Sequence, residues 1–520
     1  MFSKMKKKAG SVILFALIFI LYFSSSVGLI NSGDTPQYFT TEGLMRYASP
    51  DLTPFTKDPH FFIWPDSFDY KGNILSFRGY ALSLLAMPFH IIARYIYPLF
   101  TWNNFPSVVV TPHFTYELAV VSLFTLFSVF GLMIMRVLMK NITRSSIIAD
   151  TVTFFLATGT YIWKYSVFYT RGAVMVFFLS AVSLCFWNIL KEKRRQDFNY
   201  YILLFLWACS YGIDLILFVS ITLAVMLLMV LEKKKTLLRA KKPLVAGLFV
   251  LAILIIGNYR WYGNASSNQT LQSTYYFGNL PMQERVKVVA SSPILPSVWA
   301  VLFNFGSLAS SIFDHFKHIP SYITSHISLE FAKKYRFFGI FAISPFLLFS
   351  FIKIRLKDKA TKSLCMILMT LFIVNLLGNA SFFTFWGGNQ YDIRYFYPFV
   401  VLFGVPVALS LKHITGIKNF FYKCMGLLLF FLLSFFSVLM GWLGVINMFA
   451  PALTGERKIW MDVIDLPLYY SRFSFDQYVN ATFMNRENAW IAALIFLILL
   501  LFWGAIEYTW HKTHYVSKEQ

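Results

Sequence analysis

The feature that most constrains this chain is a recurrence of apolar stretches separated by short basic loops. Each stretch is near the length of about 20 residues that a helix needs to cross the hydrocarbon core of a bilayer. They fall at about 12–30, 115–139, 146–163, 171–190, 199–211, 212–231, 244–261, 335–354, 364–383, 396–411, 424–448 and 489–508. In lipid every backbone N–H and C=O must be satisfied within its own segment, so such runs are helices. The expected fold class is therefore an all-α polytopic membrane protein with about 12 transmembrane helices, and the 520 residues read as one integral domain, 1–520. No internal repeat, low-complexity tract or Pro/Ser-rich linker divides it.

The net charge of +22 would suggest a nucleic-acid partner in a soluble protein, but only 13% of the residues are charged and 57% are hydrophobic. The Lys and Arg residues cluster between apolar runs, as the positive-inside rule requires of cytoplasmic loops, so nucleic acid is not an expected partner. The N-terminal Lys4, Lys6, Lys7 and Lys8 precede an apolar run that is long for a signal peptide and ends without an A-x-A-like site. An uncleaved first span and cytoplasmic termini are expected. The run 80–97 looks like a second span, yet counting it would put Lys191 to Arg195, Lys233 to Lys235 and Lys353 to Lys362 outside. Read instead as a helix lying in the outer interface, it leaves those loops inside. Three outer segments follow, a long first loop at 31–114 holding juxtamembrane helices, a second at 262–334 and a late one at 449–488, with a short outer turn from Trp386 to Tyr395. Residues 199–231 form a tight hairpin, expected to turn near Ser210-Tyr211-Gly212.

Chemistry is expected at that outer face. Asp34 follows the first span, and a carboxylate at the water–membrane boundary can act as a general base toward a hydroxyl. It can equally cap an interfacial helix, with Pro36 in the first turn. In the outer turn, Trp386, Asn389 and Tyr391 suit either a sugar or an interfacial belt. Arg394 suits either a phosphate or a snorkelling contact with Asp392 and headgroups. Arg171 and Lys164 lie at the same face and either bind a lipid phosphate or anchor two helix ends. Asp214 reads as a cap for the helix after it. Cys185, Cys209, Cys365 and Cys424 lie singly in or near apolar runs and read as packing residues. No H-E-x-x-H, Walker A, G-x-G-x-x-G or G-x-S-x-G motif is present, so nucleotide-driven transport and serine hydrolysis lose support. No cofactor is expected. A divalent metal is left open by Asp66 with Asp69 and by Asp314 with His315 and His318, though neither set is specific.

Several short motifs, taken in order, resemble the GT-C superfamily of membrane glycosyltransferases that use polyprenyl-phosphate-linked sugars. The resemblance is to the group of protein mannosyltransferases and lipid A aminoarabinose transferases. It rests on Gly33-Asp34-Thr35-Pro36-Gln37-Tyr38 after a first span and on Phe77-Arg78-Gly79 leading to Pro88. Asn258-Tyr259-Arg260-Trp261-Tyr262-Gly263-Asn264 and Lys334 to Pro345 flank the second outer loop in the same way, and Trp386-Gly387-Gly388 leads to Arg394, Tyr395 and Pro398. Two departures stand out. Asp34 is followed by Thr35 where relatives often pair two acids, and Arg171 stands where many relatives place an acid.

The resemblance implies a GT-C type fold and transfer of a sugar, with inversion, from a polyprenyl-phosphate donor to a hydroxyl acceptor on a lipid, glycan or protein. Asp34 would be the base; Arg394, Arg171 and Arg78 would hold the donor phosphate; Tyr38, Trp386, Asn389 and Tyr391 would line the substrate site. The alternative is a transporter or flippase of lipid-linked sugars, which would share the phosphate-binding arginines. The expected location is a prokaryotic cytoplasmic membrane with the active site on the outer face. The sequons at Asn264, Asn268 and Asn480 would also suit an ER protein.

Overall fold

The computed structural model describes residues 2–26, 35–56, 67–76, 79–97, 112–191, 196–232, 234–263, 294–303, 339–356, 358–381 and 395–446. The first helix, α1 (Phe2–Ser24), is followed by α2 (Thr35–Tyr47), a hairpin of β1 (Ser67–Tyr70) and β2 (Asn73–Ser76), and α3 (Ala81–Ile96). Then come α4 (Pro112–Phe124), α5 (Leu126–Thr143), α6 (Ser146–Thr158), α7 (Tyr161–Ser166) and α8 (Arg171–Leu190). The middle of the chain forms α9 (Gln196–Ile213), α10 (Leu215–Glu232) and α11 (Lys234–Tyr262). Beyond these lie α12 (Ile294–Phe303), α13 (Ile340–Ile343), α14 (Lys359–Ala380), α15 (Gly404–Thr415) and α16 (Phe420–Ile446).

Six helical stretches are long and apolar enough to cross a membrane alone: Ala119–Thr143, Arg171–Leu190, Arg239–Tyr262, Lys359–Ala380, Tyr397–Thr415 and Phe420–Gly441. Of the twelve expected spans, length and composition thus support six by themselves among the described residues, and the expected span 489–508 lies outside them. Helix α8 is the hub of the bundle, with 83% of its most apolar window buried, against 22% for α11 and 28% for α16, whose apolar surface is largely exposed. Burial of α8 depends on close helix approach. A Cβ on Gly131 of α5 would sit 2.8 Å from the backbone nitrogen of Phe177 in α8, so glycine is what lets the two backbones touch. Small residues at such crossings replace the hydrophobic drive that lipid does not supply. Arg136 of α5 and Asp150 of α6 form a buried ion pair across the α5–α6 hairpin, leaving neither charge alone in the low-dielectric interior.

Three regions, holding four expected spans, differ from the structure in shape. The 199–231 hairpin turns at Asp214 rather than near Ser210-Tyr211-Gly212, because α9 continues to Ile213 and Asp214 caps α10 by accepting the Leu217 N–H at 2.9 Å. The 146–163 run breaks at Gly159–Thr160 between α6 and α7. From Gly339 onward the 335–354 run is the single turn α13 followed by a 3-10 helix, Pro345–Phe351. The two breaks face each other. Ser344 Oγ donates to the Gly159 carbonyl at 2.7 Å, and Tyr161 Oη donates to the Gly339 carbonyl at 3.1 Å. Each break thus supplies a polar partner that broken backbone in a bilayer requires.

Helix α3, expected at the interface, is 16 residues long, too short to cross upright. It is amphipathic in an inverted sense. Ser83, Ala86, His90 and Ala93 are buried against protein, whereas Leu84, Ile91, Ile92 and Tyr95 are exposed. An apolar stripe facing outward suits a helix whose outer side meets lipid.

Candidate functional site

Helix α2 begins at Thr35, one residue after Asp34, and is fastened along its length. Gln37 Nε2 donates to Ser83 Oγ at 2.5 Å and to the Gly79 carbonyl at 3.3 Å, fixing the first turn against α3. One turn on, the hydroxyls of Thr41 and Tyr169 are 2.9 Å apart. The preceding helix is fastened to the same stretch: Ser26 Oγ donates to the Val167 carbonyl at 3.4 Å and Trp163 Nε1 donates to Ser25 Oγ at 3.3 Å. Ser26, just past the end of α1, and Thr41, in the second turn of α2, thus both contact the segment that leads into Arg171.

Glu42, next along α2, is buried at 1% exposure and sits at the centre of a polar network. Its Oε1 meets His90 Nδ1 at 2.7 Å and accepts from Tyr116 Oη at 2.8 Å, while Oε2 accepts from Arg46 Nε at 2.9 Å and Arg94 Nη2 at 3.3 Å. Burial alone would raise the carboxyl's pKa. The hydrogen bonds of His90 and Tyr116 and the nearby positive charge overcome it and take the value from 4.5 down to about 2. Burial conversely lowers the proton affinity of His90, partly offset by the Glu42 contact. A neutral ring donates from Nδ1 to Glu42 and accepts at Nε2 from Tyr169 Oη, 3.2 Å away. Tyr38 packs against His90 with ring centroids 4.8 Å apart and the ring planes tilted by 38°. The network locks α2, α3, α4 and the segment before α8 into one unit. Sequence reading does not join Glu42, Arg46, His90 and Arg94 into a site. The available signal was two i, i+4 pairs, Glu42 with Arg46 and His90 with Arg94, on neighbouring helices.

Beside this unit lies a cleft lined by Thr170, Arg171, Gly172, Asp214, Asn379 and Tyr395. Arg171 Nη1 is 2.8 Å from Asp214 Oδ2, and the Tyr395 ring centroid is 5.9 Å from the guanidinium carbon. Asp214 divides its two oxygens, Oδ1 capping α10 and Oδ2 pairing with Arg171. Tyr397 closes the floor: its Oη is 2.9 Å from Thr170 Oγ1 and its ring stacks on Tyr165 at 4.8 Å. That ring lies over Gly172, where any Cβ would fall 2.0 Å from Tyr397 Oη. The opposite end of α8 carries Lys191, paired with Asp358 at 2.8 Å. Arg171, Asp214, Asn379 and Tyr395 therefore share one end of the bundle, opposite the basic loops.

Of the residues expected to form the site, Arg171 and Tyr38 fall within the described residues. Arg171 faces the cleft with its side chain 24% exposed, whereas Tyr38 is buried at 3% and supports α2 from behind. Asp34, Arg78, Trp386, Asn389, Tyr391 and Arg394 lie outside the described residues. Lys164, grouped with Arg171 in the sequence, is buried on α7 with its Nζ 5.3 Å from the Tyr165 ring centroid. Asp214 acts as the expected cap and also as the counter-ion of Arg171, a role its sequence position does not reveal. No group of three or more His, Cys, Asp or Glu side chains is arranged to hold a metal among the described residues.

Fold and site together define a class: a polytopic helical membrane protein whose extramembrane helices gather beside an arginine-bearing polar cleft at one end of the bundle. No protein-family profile matches the sequence, and no curated protein matches it. Among solved structures the chain is similar to ArnT from Cupriavidus metallidurans bound to undecaprenyl phosphate, with 11% identity and a TM-score of 0.44 over 93% of this chain and 77% of that one. The apo form of the same protein gives 12% identity and a TM-score of 0.43 over 92% and 76% of the two chains. The archaeal oligosaccharyltransferase AglB from Archaeoglobus fulgidus, in complex with an inhibitory peptide and a dolichol-phosphate, gives 13% and 0.41 over 90% of this chain and 60% of its own. Likeness at this level transfers no residue roles, and the reading of the site rests on its own geometry.

Proposed function

We propose that this protein is a GT-C type glycosyltransferase that moves a sugar from a polyprenyl-phosphate donor to a hydroxyl acceptor at the outer membrane face. The order of motifs carries the reading at the level of sequence. One structural observation supports it: the segments on either side of Asp34 are both tied, through Ser26 and Thr41, to Val167 and Tyr169 just before Arg171. A carboxylate that falls in sequence between those two contacts suits a base working beside an arginine cleft.

In the proposed reaction Asp34 takes the acceptor hydroxyl proton as the oxygen attacks the anomeric carbon in line. The bond from that carbon to the phosphate oxygen breaks, the electron pair leaves with the polyprenyl phosphate, and the anomeric configuration inverts. Arg394 and Arg78 are assigned most of the charge stabilisation of the leaving phosphate. Arg171 contributes less than its position suggests, because Asp214 already neutralises one face of its guanidinium. Its remaining N–H groups stay available to a phosphate oxygen. The test is to incubate the purified protein with radiolabelled polyprenyl-phosphate sugar and an acceptor-containing membrane extract. Acceptor-dependent release of polyprenyl phosphate is expected. Movement of intact donor across a vesicle bilayer without cleavage would instead support a flippase.

A further inference from the structure

The Lys191 end of the bundle holds a feature unrelated to the proposed chemistry. A half-open apolar cavity of ≈ 270 Å³ lies between the 3-10 helix Pro345–Phe351, α14 and the start of α15. Its walls include Phe351, Ile354, Leu368, Met369, Phe372 and Leu409. Leu368 is buried in the floor, while Phe351 and Met369 stand 63% and 61% exposed at the rim. Two of its walls, from α14 and from the stretch Tyr397–Thr415, are apolar enough to span a membrane, which suits an opening toward hydrocarbon.

Above the cavity the chain runs from Ile352 to Leu356 without regular structure. Among the described residues no backbone hydrogen bond reaches residues 353–356. Unpaired backbone cannot lie in hydrocarbon, so this stretch marks the level of the lipid headgroups. Its side chains alternate. Ile352, Ile354 and Leu356 line the cavity, and Lys353 and Arg355 are exposed. Lys359 and Lys362 are exposed close by, and the one acid of the stretch, Asp358, is engaged by Lys191. The cationic excess matches an anionic headgroup, and the positive-inside rule assigns this end to the cytoplasmic leaflet.

We infer that this crevice is a binding site for an anionic phospholipid of the cytoplasmic leaflet, with one acyl chain in the cavity and the headgroup phosphate at the Lys353–Arg355 rim. The site is separate from the Arg171 cleft, being at the other end of α8 and α14, and does not depend on the proposed reaction.

The test reconstitutes the full chain into vesicles of phosphatidylcholine with and without phosphatidylglycerol, followed by gentle detergent extraction and native mass spectrometry. The wild type is expected to retain one phosphatidylglycerol and little phosphatidylcholine. K353E combined with R355E is expected to lower that retention about tenfold or more, from the cost of reversing two charges at an anionic headgroup. Met369→Trp narrows the mouth from an exposed position, so the fold tolerates it, and is expected to displace the lipid while leaving both charges in place. Equal retention of phosphatidylcholine, an unchanged phosphatidylglycerol count in both variants, or retention of a polyprenyl phosphate instead would overturn the inference.

Discussion

Asp214 and Glu42 show how much a single carboxylate is asked to do at the Arg171 end. The two oxygens of Asp214 serve different partners, and asparagine can keep the Leu217 cap while removing the charge opposite Arg171. Asp214→Asn is expected to raise affinity for polyprenyl phosphate about tenfold, because a freed guanidinium can take a charge-assisted bond. Binding of labelled polyprenyl phosphate to the purified variant checks this, and unchanged or weaker binding would show that Arg171 does not meet the phosphate. For Glu42 the prediction concerns stability. Its folded pKa, about 2, lies below the ordinary 4.5, so its contribution is fully present above that ordinary value and is lost as pH falls from about 4.5 toward 2. Glu42→Gln leaves His90 and two half-exposed arginines without their anion and is expected to cost about 2 to 4 kcal/mol near neutral pH. Thermal unfolding in detergent across pH is the measurement: the wild type should lose stability on acidification more steeply than the variant.

Among the elements, the six spans that length and composition support were legible because apolar length is a direct consequence of the bilayer's thickness. Counting basic loops leads to the expectation of an interfacial α3, and the structure shows a 16-residue helix with an outward apolar stripe. What the pattern did not show were the breaks at Gly159–Thr160 and Ser344–Pro345, since a broken span is as apolar as an intact one and differs only in where its backbone bonds go. The hairpin Ser67–Tyr70 with Asn73–Ser76 was likewise hidden, four-residue strands being too short for periodicity to announce. Close helix crossings give the prediction at this scale. Gly131→Leu would force α5 and α8 apart and is expected to cost about 3 kcal/mol in thermal unfolding. Gly416→Ala, whose added carbon would meet only carbonyl oxygens at 3.4 and 3.5 Å, is the near-neutral control.

At the scale of the molecule, the structure groups residues by end. Lys191 with Asp358 mark one end, and Arg171, Asp214, Asn379 and Tyr395 the other. The sequence arrives at the same grouping from loop charge alone, because topology follows a rule that counts residues. The candidate site is less legible, since the Glu42–His90–Tyr169 network and the Asp214–Arg171 pair join residues 43 to 79 positions apart by contacts no local pattern encodes. In intact cells a membrane-impermeant thiol reagent should label Lys71→Cys and spare Asp358→Cys when the native cysteines are replaced. The reverse pattern would invert the whole arrangement. The proposed role of Asp34 is that of the base in a glycosyl transfer. Its most direct measurement is the turnover of labelled polyprenyl-phosphate sugar by Asp34→Asn in protein of unchanged thermal stability. A fall of about 1,000-fold is predicted, the scale of a lost general base, and turnover near that of the wild type would contradict it.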